Sequence, residues 1–295
     1  MKIAVLGGSG FLGSFVADRL TFLGHKVIIY DKKKSQWLKP NQIFVKGNIL
    51  DYKSLEKVIK KVKIVYHFAA LANLDEALNK PLETVQTNIM GTVNVLELAK
   101  KHNLKKIIYA SSIYSMSVQG GFYRCSKKAA EDYIEEYYKR YGLNFTILRY
   151  GSLYGPRADI SNGVFGIVNN AFKKKKLEYY GNRSTIRKYV HIFDAAKATV
   201  DSLATKYNNK YVNITGAKSL KVSELFEILS KSLKISSQVK YLNKNNPGHY
   251  IKSPKIFKLR TGINYKFKKH MKFENGIKLL INYLKNHEYV SKTFN

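Results

Sequence analysis

Short, predominantly apolar runs alternate along the first half of the chain with longer segments in which apolar residues recur at helical spacing. The short runs have the pattern of strands buried on both faces of a parallel sheet, and they lie at residues 3–6, 26–30, 42–45, 64–68, 106–109 and 145–148. The helical repeats lie at residues 11–23, 52–60, 82–102 and 123–141, with Gly24 and Gly142 as natural stops. This alternation predicts an α/β fold with a doubly wound parallel sheet, in which ligands bind beyond the carboxyl ends of the strands.

The pattern becomes looser after residue 149. The sequence there predicts a loop at 151–163, helices at 164–172, 220–233 and 273–284, and short strands at 189–192 and 211–214. We expect these segments to form a smaller α/β C-terminal domain that binds the substrate. The predicted division gives residues 1–155, with a return near 189–215, to a Rossmann-type cofactor domain, and residues 156–188 and 216–295 to the substrate domain.

A glycine-rich turn joins the first predicted strand to the first predicted helix. Gly7 permits the tight turn, Gly10 leaves room for a pyrophosphate, and Gly13 lets the helix approach the sheet closely. The helix that begins at Phe11 offers unpaired N–H groups and a partial positive charge to phosphates. Asp31 ends the second strand, where a carboxylate accepts hydrogen bonds from both hydroxyls of an adenosine ribose and repels a 2′-phosphate. These features predict a dinucleotide site that prefers NAD to NADP.

Length and cysteine content exclude several classes of protein. The 295 residues suffice for a sizeable core, no apolar run reaches the ~20 residues of a membrane span, and no signal peptide precedes the first strand. A cytoplasmic protein without a membrane partner is therefore expected. The one cysteine, Cys125, excludes an internal disulfide and a cysteine-based zinc site, and we expect no metal.

The formal net charge is +32, from 52 Lys and Arg against 20 Asp and Glu. Three explanations compete: nucleic-acid binding, attraction of a diphosphate substrate, and a genome rich in A and T, whose codons favour Lys, Asn, Ile and Tyr. The lysines are spread along the chain, and their densest groups are residues 32–34 and 173–176. Charge runs are usually solvated faces, and nucleic-acid readers more typically show a basic stripe with stacking aromatics. We therefore favour the third explanation and expect no nucleic-acid partner.

Tyr123 and Lys127 are four residues apart on the predicted helix 123–141 and therefore share one face. A neighbouring ammonium, together with a positively charged nicotinamide ring, favours the phenolate and lowers the pKa of the tyrosine. Tyr123 is then a candidate general base towards a substrate hydroxyl while hydride moves to NAD, and Lys127 can also bond the nicotinamide ribose. Ser112, at the end of the preceding strand, can hydrogen-bond the same substrate oxygen. Tyr-x-x-x-Lys alone is a weak motif, and its position after Ser112 and the glycine turn gives it weight.

Several segments resemble the extended short-chain dehydrogenase/reductase family, and within it the NAD-dependent nucleotide-sugar epimerases and dehydratases. The resemblance covers residues 1 to about 205, and it rests on residues 7–13, 48–49, 67–70, 88–94, 148–157 and 187–191. It implies that Asn48 and Ile49 lie against the adenine and that residues 67–70 lie beside the cofactor. It also implies that Arg187 contacts the substrate diphosphate, for which a guanidinium fork is suited.

The residues and the resemblance together indicate a candidate site in three parts. The catalytic residues are Ser112, Tyr123 and Lys127. The cofactor-binding residues are Gly7, Gly10, Phe11, Leu12, Gly13, Asp31, Asn48, Ile49, Phe68, Ala69, Ala70, Asn88, Tyr123, Lys127 and Tyr150. The substrate-binding residues are Ser111, Ser112, Ser152 and Arg187.

The chain departs from the family pattern at three places. Ser152 replaces the asparagine that normally lies near the substrate phosphates. Ser112 and Tyr123 are only eleven residues apart, and this short spacing predicts a more open site and a bulkier substrate. Ile113 and Tyr114 follow Ser112 where dehydratases of the family have an Asp-Glu pair and the related decarboxylases have a glutamate. Dehydration and decarboxylation are therefore not expected.

The resulting hypothesis is NAD-dependent oxidation at carbon 4 of a nucleotide-linked sugar, either as a 4-dehydrogenase or, with re-reduction on the opposite face, as a 4-epimerase for polysaccharide biosynthesis. The resemblance also implies a homodimer through the helices at 82–102 and 123–141. One alternative is a keto-sugar reductase that uses NADPH, against which Asp31 argues. The other is a non-catalytic dinucleotide-sensing or nucleic-acid-binding relative, motivated by the net charge.

Overall fold

The structure is a computed structural model that describes residues 1–242, 263–267, 269 and 271–291, the last five without their side chains. The chain forms two compact units. The first contains Met1–Tyr150, Ala195–Ile214 and residues 263–266, and the second contains Gly151–Asp194, residues 215–242 and the described part of 267–291. The predicted substrate domain includes residues 243–262, 268, 270 and 292–295, which lie outside the described residues, and the predicted domain division stays a prediction.

Fourteen strands and ten α-helices make up the described ranges. In chain order, the strands are β1 Lys2–Leu6, β2 Lys26–Asp31, β3 Gln42–Lys46, β4 Ile64–His67, β5 Lys106–Ser112, β6 Phe145–Tyr150, β7 Ser152–Tyr154, β8 Leu177–Tyr180, β9 Ile186–Arg187, β10 Tyr189–His191, β11 Lys210–Ile214, β12 Leu220–Lys221, β13 Val239–Leu242 and β14 Ile263–Asn264. The helices are α1 Phe11–Phe22, α2 Tyr52–Ile59, α3 Leu74–Asn79, α4 Pro81–Thr84, α5 Gly91–Lys101, α6 Gly121–Tyr141, α7 Gly163–Lys174, α8 Ile192–Asp201, α9 Val222–Leu233 and α10 Phe273–Ser291. A π-helical segment, Val85–Met90, joins α4 to α5, and short 3-10 turns cover Ile113–Met116 and Thr205–Tyr207.

The first unit is built on a parallel sheet with the strand order β14-β11-β6-β5-β4-β1-β2-β3. The chain moves outward from β1 through β2 to β3, then returns to β4 on the other side of β1 and continues through β5 and β6. Strand order therefore reverses between β1 and β4, and in open α/β sheets the ligand crevice lies at the carboxyl ends of the strands on either side of this reversal. The predicted α/β fold with a doubly wound parallel sheet is confirmed.

The continuous apolar runs become strands because the helices cover both faces of the sheet. Residues 3–6 of β1 have no exposed surface, and Leu55, Val95, Leu96 and Ile147 are equally inaccessible. Burial of a Val, Leu or Ile side chain stabilises the fold by about 1.5–3 kcal/mol relative to exposure. The long helix α6 ends at Gly142, which has a φ of 68° and donates its N–H to the Tyr138 carbonyl, so the stop at Gly142 is where the sequence predicts it.

The second unit contains three two-stranded pairs and the helices α7, α9 and α10. β7 pairs with β10 and β8 with β13 in parallel, whereas β9 pairs with β12 in antiparallel orientation. Asn162 caps α7 by accepting the Phe165 N–H, and the rings of Tyr154, Tyr189 and Phe273 pack together. None of the helices in the described ranges of either unit combines the length and apolar character needed to cross a bilayer.

Some predicted elements differ in extent from those observed. The predicted helix 82–102 contains the π-helical segment, and the strand predicted at 106–109 continues to Ser112. The pairs of the second unit include strands of two to four residues, and α8 follows β10 directly. Strands this short are stabilised by partners distant in sequence, so local periodicity carries little signal for them.

Candidate active site

Parallel register places the predicted site residues of the first unit at one edge of the sheet. Leu6 of β1 lies opposite both Tyr30 and His67, and Ser112 of β5 lies opposite Tyr150. Asp31, the last residue of β2, and Phe68, which follows β4, therefore lie at the carboxyl ends of their strands. This edge carries the glycine turn at one point and Ser112 at another.

The glycine turn is held in place by close contacts within the protein. Gly7 has a φ of 77°, and a Cβ there would lie 2.5 Å from the Ala69 nitrogen, while a Cβ on Gly13 would lie 2.3 Å from the Gly7 oxygen. The Ser9 N–H donates to Asp31 Oδ2 at 3.0 Å, which brings the carboxylate beside the turn. Gly7 and Gly13 are thus required by backbone packing alone.

Gly10 has no comparable structural requirement. Its φ of −77° and ψ of 178° are open to any residue, and a Cβ would meet only the Gly7 oxygen, at 3.4 Å. The Ser9 hydroxyl beside it is buried and has no hydrogen-bond partner in the described part of the chain. Gly10 leaves space for a close ligand, and the Ser9 hydroxyl has no partner among the described residues. Both features fit a pyrophosphate at the N-terminus of α1, whose first two residues are Phe11 and Leu12. The residues present therefore fit NAD.

Substitution of Gly10 by alanine tests this fit. We expect Gly10→Ala to leave the melting temperature within about 2 °C of the original and to raise the Kd for NAD by about 10–100-fold, the cost of one methyl group forced into a close contact. Isothermal titration with NAD measures the affinity. The matched control is Gly163→Ala, where a Cβ meets nothing within 4 Å. Equal NAD affinity in both variants would contradict the site.

The remaining predicted cofactor residues lie along the same edge, but several use their side chains within the protein. The Asn48 side chain accepts the Leu50 N–H, Ile49 is buried in the core, and Phe68, Ala69 and Ala70 are half-buried after β4. The Tyr150 hydroxyl pairs with Thr199 at 2.6 Å. Contacts of these residues to the cofactor stay predictions.

Asn88 lies in the π-helical segment and is buried. Its Oδ1 accepts the Leu71 N–H at 2.7 Å, and its Nδ2 donates to the Leu71 carbonyl and to Ser126 Oγ. Ser126 in turn donates to the Tyr123 carbonyl at 2.9 Å. Asn88 therefore joins the loop after β4 to the first turns of α6, and its predicted contact with the cofactor is untested.

Ser112, Tyr123 and Lys127 are brought together by β5 and α6. All three are buried, with 8% of Tyr123 and 3% of Lys127 exposed. Lys127 Nζ lies 5.8 Å from the centroid of the Tyr123 ring and donates to the Ala110 carbonyl at 2.8 Å. Ser112 Oγ accepts the Tyr114 N–H, which leaves its hydroxyl proton available as a donor. A phenol, an ammonium and a hydroxyl therefore share one region of the structure.

The expectation that a neighbouring ammonium and a nicotinamide ring lower the pKa of the tyrosine is opposed by burial in the folded chain. Burial raises the pKa of Tyr123 to about 12, and the nearby Ser112 hydroxyl opposes this only in part. Burial also lowers the pKa of Lys127 to about 7, while the Glu131 carboxylate acts in the opposite direction. Desolvation is thus the largest influence on both groups, and Lys127 is only partly charged at neutral pH.

Lys127 has donor capacity to spare. An ammonium carries three N–H donors, and one of them is used by the Ala110 carbonyl. Ribose hydroxyls of a bound dinucleotide are suitable acceptors for the others. In the described ranges no cluster of three or more His, Cys, Asp or Glu side chains is arranged to hold a metal.

Sequence analysis missed a buried polar cluster behind Ser112. Ser111, whose predicted contact with the substrate stays a prediction, donates its hydroxyl to Glu131 Oε1 at 2.5 Å, and Arg149 Nη2 pairs with Glu131 Oε2 at 2.6 Å. The available signal was the spacing, because Glu131 follows Lys127 by four residues and lies on the buried face of the same helix. A charge on the apolar face of a helix indicates a buried partner.

Ser152 and Arg187 lie in the second unit, on β7 and β9, and both are half-buried. The Ser152 N–H donates to the Lys188 carbonyl at 3.0 Å, so the two predicted substrate residues are near one another in the backbone. His191 is buried against Tyr154 and Phe193, and burial lowers its pKa to about 4. The imidazole is therefore neutral at pH 7.

The chain is similar in sequence and in structure to several known proteins. The model of the NAD dependent epimerase/dehydratase family matches residues 3–215. A putative UDP-glucose 4-epimerase of Methanocaldococcus jannaschii is 30% identical over 96% of this chain and 98% of its own length. A UDP-N-acetyl-alpha-D-glucosaminuronate decarboxylase of Bacillus cytotoxicus is 29% identical over 81% of this chain and 82% of its own. The crystal structure of UDP-glucose 4-epimerase from Thermotoga maritima with UDP-glucose has a TM-score of 0.86 at 28% identity, covering 98% of this chain and all of that one.

The family match covers most of the chain and includes the glycine turn, Ser112, Tyr123 and Lys127. Its description as NAD-dependent confirms the predicted cofactor and the prediction of an enzyme. The chain belongs to the NAD-dependent epimerase/dehydratase family.

Proposed function

We propose that the protein is an NAD-dependent epimerase that inverts carbon 4 of a nucleotide-linked sugar, with a UDP-sugar as the first candidate substrate. One observation carries the proposal: β5 and α6 bring Ser112, Tyr123 and Lys127 together in the unit that also holds the glycine turn and Asp31. The names of the relatives support UDP as the nucleotide, because UDP-sugar 4-epimerases are similar to this chain over nearly all its length.

Three side chains have different roles in proton transfer. Tyr123 acts as the phenolate, a form that the Lys127 ammonium and the positive charge of NAD would favour. The phenolate takes the proton from the sugar hydroxyl on carbon 4 and returns it after inversion, which is general base and then general acid catalysis. Ser112 donates its hydroxyl proton to the same oxygen and holds it next to the phenol. Lys127, when protonated, stabilises the phenolate, and its free donors suit the ribose of the cofactor. NAD, held by the glycine turn and Asp31, would supply the hydride acceptor and donor that oxidation and re-reduction at carbon 4 require.

The residues after Ser112 favour epimerisation over the other outcomes in the family. Ile113 is buried, and the Tyr114 ring lies edge-on to Tyr123 with centroids 6.5 Å apart. Neither side chain supplies the carboxylate that the resemblance places here in dehydratases and decarboxylases. Without that acid, oxidation at carbon 4 leads back to a reduced sugar or to release of the keto-sugar.

Substrate contacts are proposed for two residues of the second unit. The guanidinium of Arg187 has the planar, bidentate geometry that suits a diphosphate. Ser152 has a small hydroxyl where the resemblance implies an asparagine. A serine leaves more room than an asparagine, so we expect tolerance of a bulkier sugar.

A panel of UDP-, GDP-, CDP- and dTDP-sugars tests the function. Purified protein with NAD is expected to interconvert the 4-epimers of at least one UDP-sugar, detected by product chromatography, with no net accumulation of NADH. Accumulation of a keto-sugar with stoichiometric NADH would identify a dehydrogenase. Turnover only with NADPH and a keto-sugar would support the reductase alternative and contradict the proposal.

We also propose a homodimer through α4, the π-helical segment and α6. Leu82, Val85 and Met90 are exposed on the first two elements, and Phe122 and Tyr133 are exposed on α6, which packs against them. Exposed apolar side chains gathered on helices that pack together are typical of a protein–protein interface. Sedimentation equilibrium at micromolar concentration is expected to show a dimer, and a monomer for Val85→Asp with Met90→Asp. A monomeric original protein would contradict the proposal.

A further inference from the structure

The buried cluster behind Ser112 is centred on Glu131, which has no exposed surface. Its Oε1 accepts three hydrogen bonds, from Ser111 Oγ at 2.5 Å, Ser115 Oγ at 2.8 Å and Arg149 Nε at 3.0 Å. Its Oε2 accepts Arg149 Nη2 at 2.6 Å. Arg149 is itself held in place, since Nη1 contacts Met116 Sδ and the guanidinium lies 4.4 Å from the Tyr211 ring centroid. One carboxylate therefore ties α6 to β5, to β6 and to the 3-10 turn after β5.

These bonds fix the backbone on both sides of Ser112. Ser111 precedes it on β5. Ser115 follows it by three residues, and its single hydroxyl proton is shared between Glu131 Oε1 and the Ser112 carbonyl, each at 2.8 Å. Ser112 thus lies between two residues that are anchored to the same carboxylate on the helix of Tyr123. A shift of about 1 Å between hydroxyl and phenol is enough to lower a catalytic rate by about 10²-fold.

Glu131 also lies one helical turn beyond Lys127. The groups that face Lys127 come from three elements: Tyr123 and Glu131 from α6, the Tyr109 ring of β5 at 4.8 Å, and His67 of β4. Burial lowers the pKa of His67 to about 3, so its ring is neutral, and burial raises the pKa of both tyrosines. Glu131 is therefore the one anion among the described groups that act on Lys127.

Resting on the proposed function, we propose that Glu131 is a positioning residue for the reaction. Through Ser111 and Ser115 it holds Ser112 against Tyr123, and through its negative charge it stabilises the Lys127 ammonium. One buried carboxylate thereby positions Ser112 and stabilises the charge of Lys127, the two groups that act on the catalytic phenol. Buried ion pairs contribute little net stability compared with well-packed apolar residues, so a role in the site accounts for a carboxylate and a guanidinium at this depth.

The charge half of the proposal is tested without cofactor or substrate. Lysine labelled with ¹³C at Cε gives a resonance that follows its protonation, and the resonance absent from Lys127→Met is assigned to Lys127. Lys106, whose pKa burial lowers to about 8, titrates nearby and is distinguished by this assignment. In Glu131→Gln the Lys127 midpoint is expected to fall by roughly half a unit or more.

Glu135→Gln is the matched control. Glu135 lies one turn further along α6 and binds the Tyr211 hydroxyl at 2.6 Å, so the same chemical change occurs on the same helix away from Lys127. The titration midpoint of Lys127 in Glu135→Gln is expected to equal that in the original protein. An unchanged midpoint in Glu131→Gln, or an equal shift in both variants, overturns the charge half.

The geometric half is tested by Ser115→Ala, which removes one anchor and leaves every charge in place. We expect kcat to fall by about 3–10-fold with little change in KM and none in the Lys127 midpoint, since one hydrogen bond is worth about 1 kcal/mol. Unchanged kcat overturns this half. Should Glu131→Gln not fold because Arg149 is left unpaired, Glu131→Gln with Arg149→Met is titrated instead. Full activity of Tyr123→Phe would refute the proposed function and leave the titration result standing.

Discussion

Replacing Tyr123 with phenylalanine is expected to lower kcat by about 10²–10⁴-fold, the range that one general acid-base group contributes. The phenylalanine ring fills the same space, and the phenol it replaces is protonated at pH 7 because burial raises its pKa to about 12. The change therefore removes the acid-base hydroxyl without removing a charge at pH 7. NAD affinity and the melting temperature are expected to change little.

Tyr133→Phe provides the control for this variant. Tyr133 lies on the same helix, ten residues further on, with 48% of its surface exposed. Steady-state kinetics on the epimerised sugar should show normal turnover for Tyr133→Phe. Turnover of Tyr123→Phe within about threefold of the original would show that another group carries the proton.

Replacing Lys127 with methionine is expected to lower kcat by about 10²–10³-fold while making the protein more stable at neutral pH. The lysine is nearly inaccessible, and burial lowers its pKa from 10.5 to about 7. Because the unfolded chain binds this proton more tightly than the folded protein does, the wild-type lysine destabilises the fold fully below about pH 7 and progressively less towards pH 10.5. Methionine has a similar length and no charge to bury.

The stability gain should depend on pH in a defined direction. We expect Lys127→Met to be more stable by about 1–3 kcal/mol near pH 7, after allowance for the lost hydrogen bond, and by much less near pH 10. Denaturant unfolding at both pH values measures this. Lys128→Met is the control, because the Lys128 side chain is 41% accessible and pairs with Asp132, which is 42% accessible. A destabilised Lys127→Met at pH 7 would mean that the ammonium is structural.

The parallel sheet was predictable because its signal is local and repeated. Each strand of the first unit from β1 to β6 contains a short, predominantly apolar run, and the glycine turn lies between a strand and a helix as its chemistry requires. Asp31, Ser112 and Tyr150 could be assigned to one edge because parallel strands present their carboxyl ends together. Tyr123 and Lys127 followed from helical spacing.

Other features depend on contacts that no short stretch of sequence records. The raised pKa of Tyr123 follows from desolvation, which is a property of the folded environment, whereas the sequence shows only the neighbouring ammonium. The link from Glu131 to Ser111 and Arg149 joins three elements that are well separated along the chain. The short strands of the second unit, such as β9 and β12, form only against partners far along the chain.

A crystal structure of the protein with NAD and a UDP-sugar tests the central claim most directly. The account predicts that Tyr123 Oη lies about 2.6–3.2 Å from the oxygen on carbon 4 of the sugar, with Ser112 Oγ on the same oxygen and Lys127 Nζ on the nicotinamide ribose. A sugar bound with its carbon 4 away from Tyr123, or a nicotinamide ring remote from the phenol, would contradict it.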